Sequence, residues 1–523
     1  MWEYFFSNLL VGSYVVILAC VAFYGFHRYV LVYLYLKHRH DGYLPKSQYG
    51  ELPRVTVQLP MFNEDTVAER IIRASCQIDY PHDKLEIQVL DDSTDHSADI
   101  ARKACESWAA KGFPIKYIHR TNREGYKAGA LAEGLKIATG EFIAIFDADF
   151  IPPRDILHNC INYFTEEKVG MVQVRWDHLN RDASLLTKSQ AIFLDGHFMI
   201  EHTARNRSGR FMHFNGTAGV WRRTTIDDGG GWQHDTLTED LDLSYRCQLK
   251  GWQFVYLPQF SAPAELPPEM IAFKQQAHRW TKGSMQTGIK LLPRILRSHL
   301  PVQVKWEAFF HLTNTVVYPM MVMLTLLMYP TFFNYFSPFK AQTWSQYIFS
   351  LSLFILATCS AGTFFAFGQR ELFGKQAGWK SLLYMPVLMA LGVGVSINNA
   401  KAVFEAIWSA IKKRPSEFVR TPKYGSTGAG RHKARRDIFT FRRLMLPIIE
   451  IAFGCYMASC LWISFWYQCG ILPGSDKSGW ASVPFLLIFA GGYFYVGFGS
   501  IYALWQMSQE QEEDVADVFE LPA

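Results

Sequence analysis

The sequence predicts an α/β domain with a doubly wound sheet, set between helices that span a membrane. Three observations carry this. Only 19% of the 523 residues are charged while 49% are hydrophobic, against roughly 25% charged in soluble domains. Apolar stretches long enough to cross a bilayer lie near both ends of the chain. Between them, from residue 54 to 176, short apolar runs alternate with stretches of helix length.

The first apolar stretch runs from Tyr4 to Phe26, where Ser7, Asn8 and Ser13 are the polar side chains apart from tyrosine. At 1.5 Å per residue it reaches about 35 Å, enough for one crossing. It lacks the basic start and small-residue cleavage site of a signal peptide, and Arg28, Lys37 and Arg39 follow it. The positive-inside rule then places residue 40 onward in the cytoplasm. Further apolar segments cover 307–333, 346–367, 381–396, 443–468 and 480–506. Between Ile411 and Arg443 stand eleven Lys or Arg against Glu417 and Asp437, so this stretch is also expected inside. The segment 381–396 is short and runs into Asn398, Asn399, Lys401 and Glu405; residues 380–410 are therefore expected as a helix lying in the interface. The resulting plan has a spanning helix in 1–40, a cytoplasmic domain in 50–265 and amphipathic interface helices in 266–304. Two spans follow in 305–370, the interface helix and a basic loop in 380–443, two more spans in 444–507 and an acidic cytoplasmic tail in 508–523.

A formal charge of +5 gives no ground for nucleic-acid binding. The nine cysteines form no C-x-x-C pair, so zinc and a disulfide framework are not expected.

In the central region RVTVQLP, LEIQVLD, IKYIH and EFIAIFD read as strands separated by helices near 65–77, 95–110 and 126–138, which implies parallel pairing. Ligands of such sheets sit beyond the carboxyl ends of the strands. Asp91-Asp92 and Asp147-Ala148-Asp149 fall there. Two carboxylates spaced D-x-D on an extended segment point the same way and can share one hard cation with a diphosphate; helix capping and turn formation are the plainer reading of either pair. Gly125-Tyr126-Lys127-Ala128-Gly129 opens a helix as phosphate-facing turns do, but it matches neither the dinucleotide nor the P-loop pattern. Thr238-Glu239-Asp240 begins an amphipathic helix: Thr238 and Glu239 are equally well an N-cap with first-turn acid, and Asp240 is the better candidate for accepting a hydroxyl proton. Gln276-Ala277-His278-Arg279-Trp280 follows an amphipathic stretch from 267.

In this order the Asp91-Asp92, Asp147-x-Asp149, Thr238-Glu239-Asp240 and Gln276-x-x-Arg279-Trp280 set resembles the D, D-x-D, T-E-D and Q-x-x-R-W motifs of processive family 2 glycosyltransferases, the cellulose synthase superfamily. The strings QLPMFNE, QVLDDSTD, GYKAGAL, IFDADF, FNGTAGVWR and GWQFVYL are similar to the cellulose-synthase-like A and C proteins, which make mannan, glucomannan or a glucan backbone. The likeness is close over residues 50–285.

The resemblance implies a GT-A-like fold and a membrane-embedded, inverting hexosyltransferase. The donor would be UDP-glucose or GDP-mannose, and the acceptor a growing β-glycan that the spans also thread. It implies Asp91, Asp92, Lys127, Asp147, Gln276 and Arg279 at the nucleotide sugar, and Mg²⁺ or Mn²⁺ on Asp147 and Asp149. Asp240 would be the general base, with Trp280, Phe214, Asn215, Gly216, Thr217 and Glu239 on the acceptor side. Phe418, Thr421 and Lys423 match a gating loop in which Arg420 and Pro422 depart from the pattern; a solvated basic loop on anionic lipid is the alternative. The missing plant-type extensions point to a bacterial inner membrane. Two other functions stay open: transfer to a lipid carrier, since some lipid glycosyltransferases share Q-x-x-R-W, and a nucleotide-sensing transporter, which would show charged or broken spans.

Overall fold

A computed structural model describes residues 2–335, 344–412, 441–468 and 483–519. The chain begins with α1 (Trp2–His38), a helix of 37 residues that outlasts the expected span and carries Lys37 and His38 in its last turn.

The domain that follows is built on seven strands: β1 (Val55–Met61), β2 (Leu85–Asp91), β3 (Ile115–His119), β4 (Phe142–Ile145), β5 (Val169–His178), β6 (Gly219–Arg222) and β7 (Gln253–Ala264). They lie in the order β3-β2-β1-β4-β6-β5-β7. The first four pair in parallel, as the alternation of strands and helices requires. The sheet as a whole is mixed, because β6 runs antiparallel to both β4 and β5. The physical reason lies in the connection. The loop ahead of β6 reaches the sheet at the carboxyl end of β4, where Ala218 N donates to Ile145 O at 2.8 Å, so the strand can only run back.

Period-two alternation divides the core. Phe142 and Ala144 pack in a layer with α2 (Ala68–Cys76), α3 (Ser97–Ala109) and α5 (Ile156–Ile161). Ile143 and Ile145 pack in the opposite layer with α4 (Tyr126–Ile137), α8 (Arg223–Asp228) and α9 (Glu239–Leu249). Between β5 and β6 the chain forms α6 (Leu185–Gly196), a π-helical turn (His197–His202) and α7 (Thr203–Arg207), which seat the domain on α1 and α13.

After β7 come α10 (Met270–Arg297), α11 (Val302–Thr313), α12 (Val317–Tyr335), α13 (Trp344–Phe373), α14 (Lys375–Ser381), α15 (Met385–Gly394), α16 (Ser396–Lys412), α17 (Phe441–Gln468) and α18 (Val483–Phe519). Among the described residues, four helical segments are long and apolar enough to cross a membrane: Leu9–His38, Val302–Met328, Arg443–Trp466 and Val483–Gln509. The chain is a membrane protein. Lys375–Gly394 and Ser396–Lys412, bent by 41°, replace the single interface helix expected at 380–410. Leu391 and Val395 pack with Val496 of α18, and the buried Asn398 donates its Nδ2 to the Lys274 carbonyl of α10 at 3.0 Å. The buried Asn398 and Asn399 therefore turn toward the protein, while Phe404, Trp408 and Ile411 form the exposed stripe of α16.

Candidate active site

Beyond the carboxyl ends of β1, β2 and β4 lies a cleft of about 720 Å³. The strand β4 ends at Ile145, and Asp147 to Phe150 close a turn in which Phe150 N donates to Asp147 O at 3.0 Å. The motif is thus a turn and not the extended segment expected. Both carboxylates still face the cleft, since Phe146, Ala148 and Phe150 between and around them are buried. Thr217 fixes the turn from beneath, its hydroxyl accepting the Asp147 N–H at 2.9 Å.

Lys127 comes from the first turn of α4, behind Gly125 with φ +70°. Its ammonium meets Asp147 Oδ1 at 2.5 Å and Gly216 O at 2.9 Å. Burial works against its charge, but Asp147, Glu239 and Asp240 outweigh burial and raise its pKa. On the opposite wall α10 supplies Gln276, Arg279 and Trp280. Burial pulls the Arg279 guanidinium down while Glu239, Asp147, Asp240 and Asp149 act upward.

Asp240 sits in the first turn of α9. Its carboxyl is pushed up to about 7, by burial first and by the Glu239 charge second, with Lys127 opposing. Glu239 is raised by burial as well. Thr238 does not cap this helix with its side chain; its hydroxyl lies 3.1 Å from that of Thr287 on α10. Gly216, at φ +82°, faces the pair: a Cβ there would stand 3.0 Å from Asp240 Oδ2 and 3.3 Å from Lys127 Nζ. Only glycine combines this backbone with the space the two groups need.

Asp240, Thr238, Asn215, Gln276 and Trp280 also line a second cavity of about 900 Å³, which runs between α1, α12, α15 and α18 past Tyr14, Arg28, Tyr318, Asn399 and Phe489. Trp280, 38% exposed, marks the junction of the two.

Residues 53–283 match the family model "Glycosyltransferase like family 2". Glucomannan 4-beta-mannosyltransferase 1 of Cyamopsis tetragonoloba is 33% identical over 468 residues, 86% of this chain and 82% of its own length. The chain belongs to this family. Glucomannan 4-beta-mannosyltransferase 2 of Arabidopsis thaliana is 35% identical over 79% of the chain and 76% of its own length. Among solved structures, the mannosyltransferase PcManGT from Pyrobaculum calidifontis in complex with GDP-Man and Mn²⁺ aligns with 71% of the chain and 98% of its own, at 20% identity and a TM-score of 0.49, too distant to bear on activity. The protein is a family 2 glycosyltransferase of the cellulose-synthase-like A group, an inverting β-glycan synthase that works from a nucleotide sugar. The bacterial origin expected from the missing extensions is not borne out, since these relatives are plant proteins.

Not every expected residue of this glycosyltransferase reaches the cleft. Asp91 is fully buried, its oxygens accepting from Ser93 N at 2.9 Å and the Tyr117 hydroxyl at 2.7 Å; Asp92 alone of the pair lines the cleft. Phe214 is fully buried in the core against Trp221, and Thr217 is buried as the support of Asp147. Neither lines either cavity. Phe418, Thr421 and Lys423 lie outside the described residues. Sequence reasoning passed over Arg120, which grips Asp92 with Nε at 2.7 Å and a second nitrogen at 2.5 Å. The only signal was an arginine directly after the third strand, next to Asp92 across the sheet. It also passed over Arg123, stacked 3.4 Å above the Phe62 ring in the cleft wall.

Proposed function

We propose that the protein transfers mannose from GDP-mannose to the free hydroxyl of a growing β-linked glycan and passes the product into the membrane. The observation that carries this is the position of Asp240, which lines both the donor cleft and the cavity between the membrane helices. The mannosyltransferase activity named for the relatives supports the choice of sugar.

In this reading the acceptor hydroxyl approaches from the larger cavity, with Trp280 stacking on its sugar ring, and Asp240 takes its proton as the oxygen attacks the anomeric carbon. One displacement inverts the centre and needs no enzyme nucleophile. Arg279 and Lys127 oppose the charge that builds on the leaving diphosphate. Eight carboxylates, however, line the cleft against Arg123, Lys127 and Arg279, and such an excess of hard oxygen donors fits Mg²⁺ or Mn²⁺. Asp147 and Asp149 would hold this ion, and when bound it supplies further positive charge to the diphosphate.

In this reading the catalytic domain is cytoplasmic, the side that the basic residues after the first apolar stretch favour. Five crossings, α1, α12, α13, α17 and α18, agree with that placement, and α13 has the length at 30 residues. The pair α15 and α16 re-enters without crossing in this scheme. In support, Gln369 and Glu371 just ahead of the pair bond Asp195 and Tyr35, and Glu405 and Ser409 near its end bond Lys282 and Gln286 beside Thr238. Both ends therefore lie on the catalytic face. α16 thus ends at Lys412 on the side of the donor cleft.

The test is incorporation. Purified protein with Mg²⁺ or Mn²⁺ is given radiolabelled GDP-mannose or UDP-glucose, and the product is digested with linkage-specific glycanases. A β-mannanase-sensitive polymer from GDP-mannose is expected. Label found solely in lipid would refute polymer synthesis.

A further inference from the structure

On the acceptor side of Asp240 three imidazoles crowd one carboxamide. His197 and His202 belong to the π-helical turn, which hydrogen-bonds five residues apart. In an α-helix such residues point about 140° from one another; here the turn brings the two rings to a centroid distance of 4.4 Å. His213 joins them from the loop before β6. One ligand atom of each histidine lies within 4.8 Å of those of the other two.

Asn215 occupies the middle of the three rings. Its Nδ2 donates to Nε2 of His197 and of His213, both at 3.1 Å, and its Oδ1 accepts from His202 Nε2 at 2.5 Å. This leaves Nδ1 of His202 and Nδ1 of His213 buried without a hydrogen-bond partner, a cost that native structures rarely leave unmet.

The surroundings suit a cation. Glu201 Oε2 accepts from Nδ1 of His197 at 2.8 Å, the carboxylate-on-histidine support found behind metal ligands. Arg205 is shared by Glu201 at 3.4 Å and Glu307 at 2.8 Å, and Arg28 also faces Glu201, so two carboxylates balance the two guanidiniums beside the imidazoles. His197 and His213 open onto the larger cavity, which gives an entry path. Three nitrogen ligands and one oxygen favour a borderline transition ion over Mg²⁺, so the site is chemically distinct from Asp147 and Asp149.

We propose that His197, His202 and His213, completed by Asn215 Oδ1, bind a divalent transition ion of the Zn²⁺ class, and that the ion inhibits transfer. The carboxamide must turn so that its oxygen meets the imidazoles' ion, which withdraws Asn215 from the junction of cleft and cavity. This inhibitory half rests on the acceptor path proposed above; the binding half does not.

Cobalt reports the binding without any activity assay. Chelator-stripped full-length protein in excess Mg²⁺, titrated with Co²⁺, is expected to take up one equivalent with the intense visible absorption of a four-coordinate ion, bleached by Zn²⁺. The band is expected to persist in Asp149→Ala and to vanish in His213→Gln and His202→Gln. No such band in the unsubstituted protein overturns the site, whatever the variants do. A band that survives both histidine substitutions, or disappears with Asp149→Ala, overturns it as well. In transfer assays Zn²⁺ is expected to cut the rate at least tenfold in the unsubstituted protein; an unchanged rate with cobalt bound would overturn the inhibition alone.

Discussion

Asp240 shows how one side chain sets opposite demands on catalysis and stability. A base works only as the carboxylate, so with its pKa near 7 the rate of transfer is expected to rise with pH through about 7 and then level. Stability moves the other way. The native carboxyl keeps a proton that the unfolded one, with an ordinary value of 3.8, has released, so between the two values this group's contribution falls as pH rises. Asp240→Asn is uncharged at every pH. It is expected to lower transfer by about 10² to 10⁴, to leave donor affinity within a few-fold, and to melt above the unsubstituted protein when both are scanned above pH 7. Normal turnover in this variant would remove Asp240 from the mechanism. Asp149→Ala addresses the other carboxylate: metal-dependent binding of the nucleotide sugar, measured by calorimetry with and without EDTA, is expected to weaken at least tenfold. At this scale the motifs located the cleft but could not assign each member. Asp91 and Asp92 are adjacent and chemically identical, and only the end of β2 decides that one turns into the core and the other toward the cleft. Phe214 sits beside Asn215 in the same string, yet the turn at Gly216 sends it into the core.

At the scale of elements, the contact between α10 and the start of α9 holds the two sides of the cleft together. A Cβ on Gly283 would stand 2.6 Å from Thr238 Cγ2 and 2.8 Å from Thr238 N, distances that backbone cannot accept without moving. Leu237 N also donates to Gln286 Oε1 of α10 at 3.1 Å. Gly283→Ala is therefore expected to push the helix bearing Arg279 and Trp280 off the turn bearing Asp240. The expected result is a loss of kcat of at least tenfold, with the protein still extracted as a folded, monodisperse species. Unchanged kcat would show that the contact has slack. The elements most legible in the sequence were β1 to β4 and the helices between them, because short apolar-rich runs alternate there with stretches of helix length, of which α2 and α3 are clearly amphipathic. The strand β6 was not legible. It spans four residues, and its direction follows from where the preceding loop meets β4, a tertiary fact with no local signature. The π turn was equally hidden, since its spacing shows only once the rings of His197 and His202 are seen together.

For the whole molecule, the question is which faces of the membrane the chain visits, and the threading of product depends on the answer. Among the described residues, length and composition give four spans, with a fifth if the bent pair is one, whereas the charge pattern favours five with α13 as the fifth. Hydropathy alone cannot separate these, because α15 is a buried apolar helix whether it crosses or re-enters. Contacts do bear on it. Lys282 of α10 pairs with Glu405 at 3.1 Å and Gln286 reaches Ser409 at 3.2 Å, so the chain leaves α16 next to the catalytic turn. The connection from Lys412 to Phe441 then begins on the face that carries Asp240, and the positive-inside rule favours that side for its nine basic residues. A cysteine at Ser426, in a functional background cleared of reactive native thiols, is expected to react with an impermeant maleimide from the cytoplasmic side only. Labelling from outside in intact cells would make the bent pair a true span and put Phe418, Thr421 and Lys423 out of reach of the donor. It would leave the cleft assignments standing, because Asp147, Lys127, Asp240 and Arg279 are brought together by the sheet and α10 and not by the count of crossings.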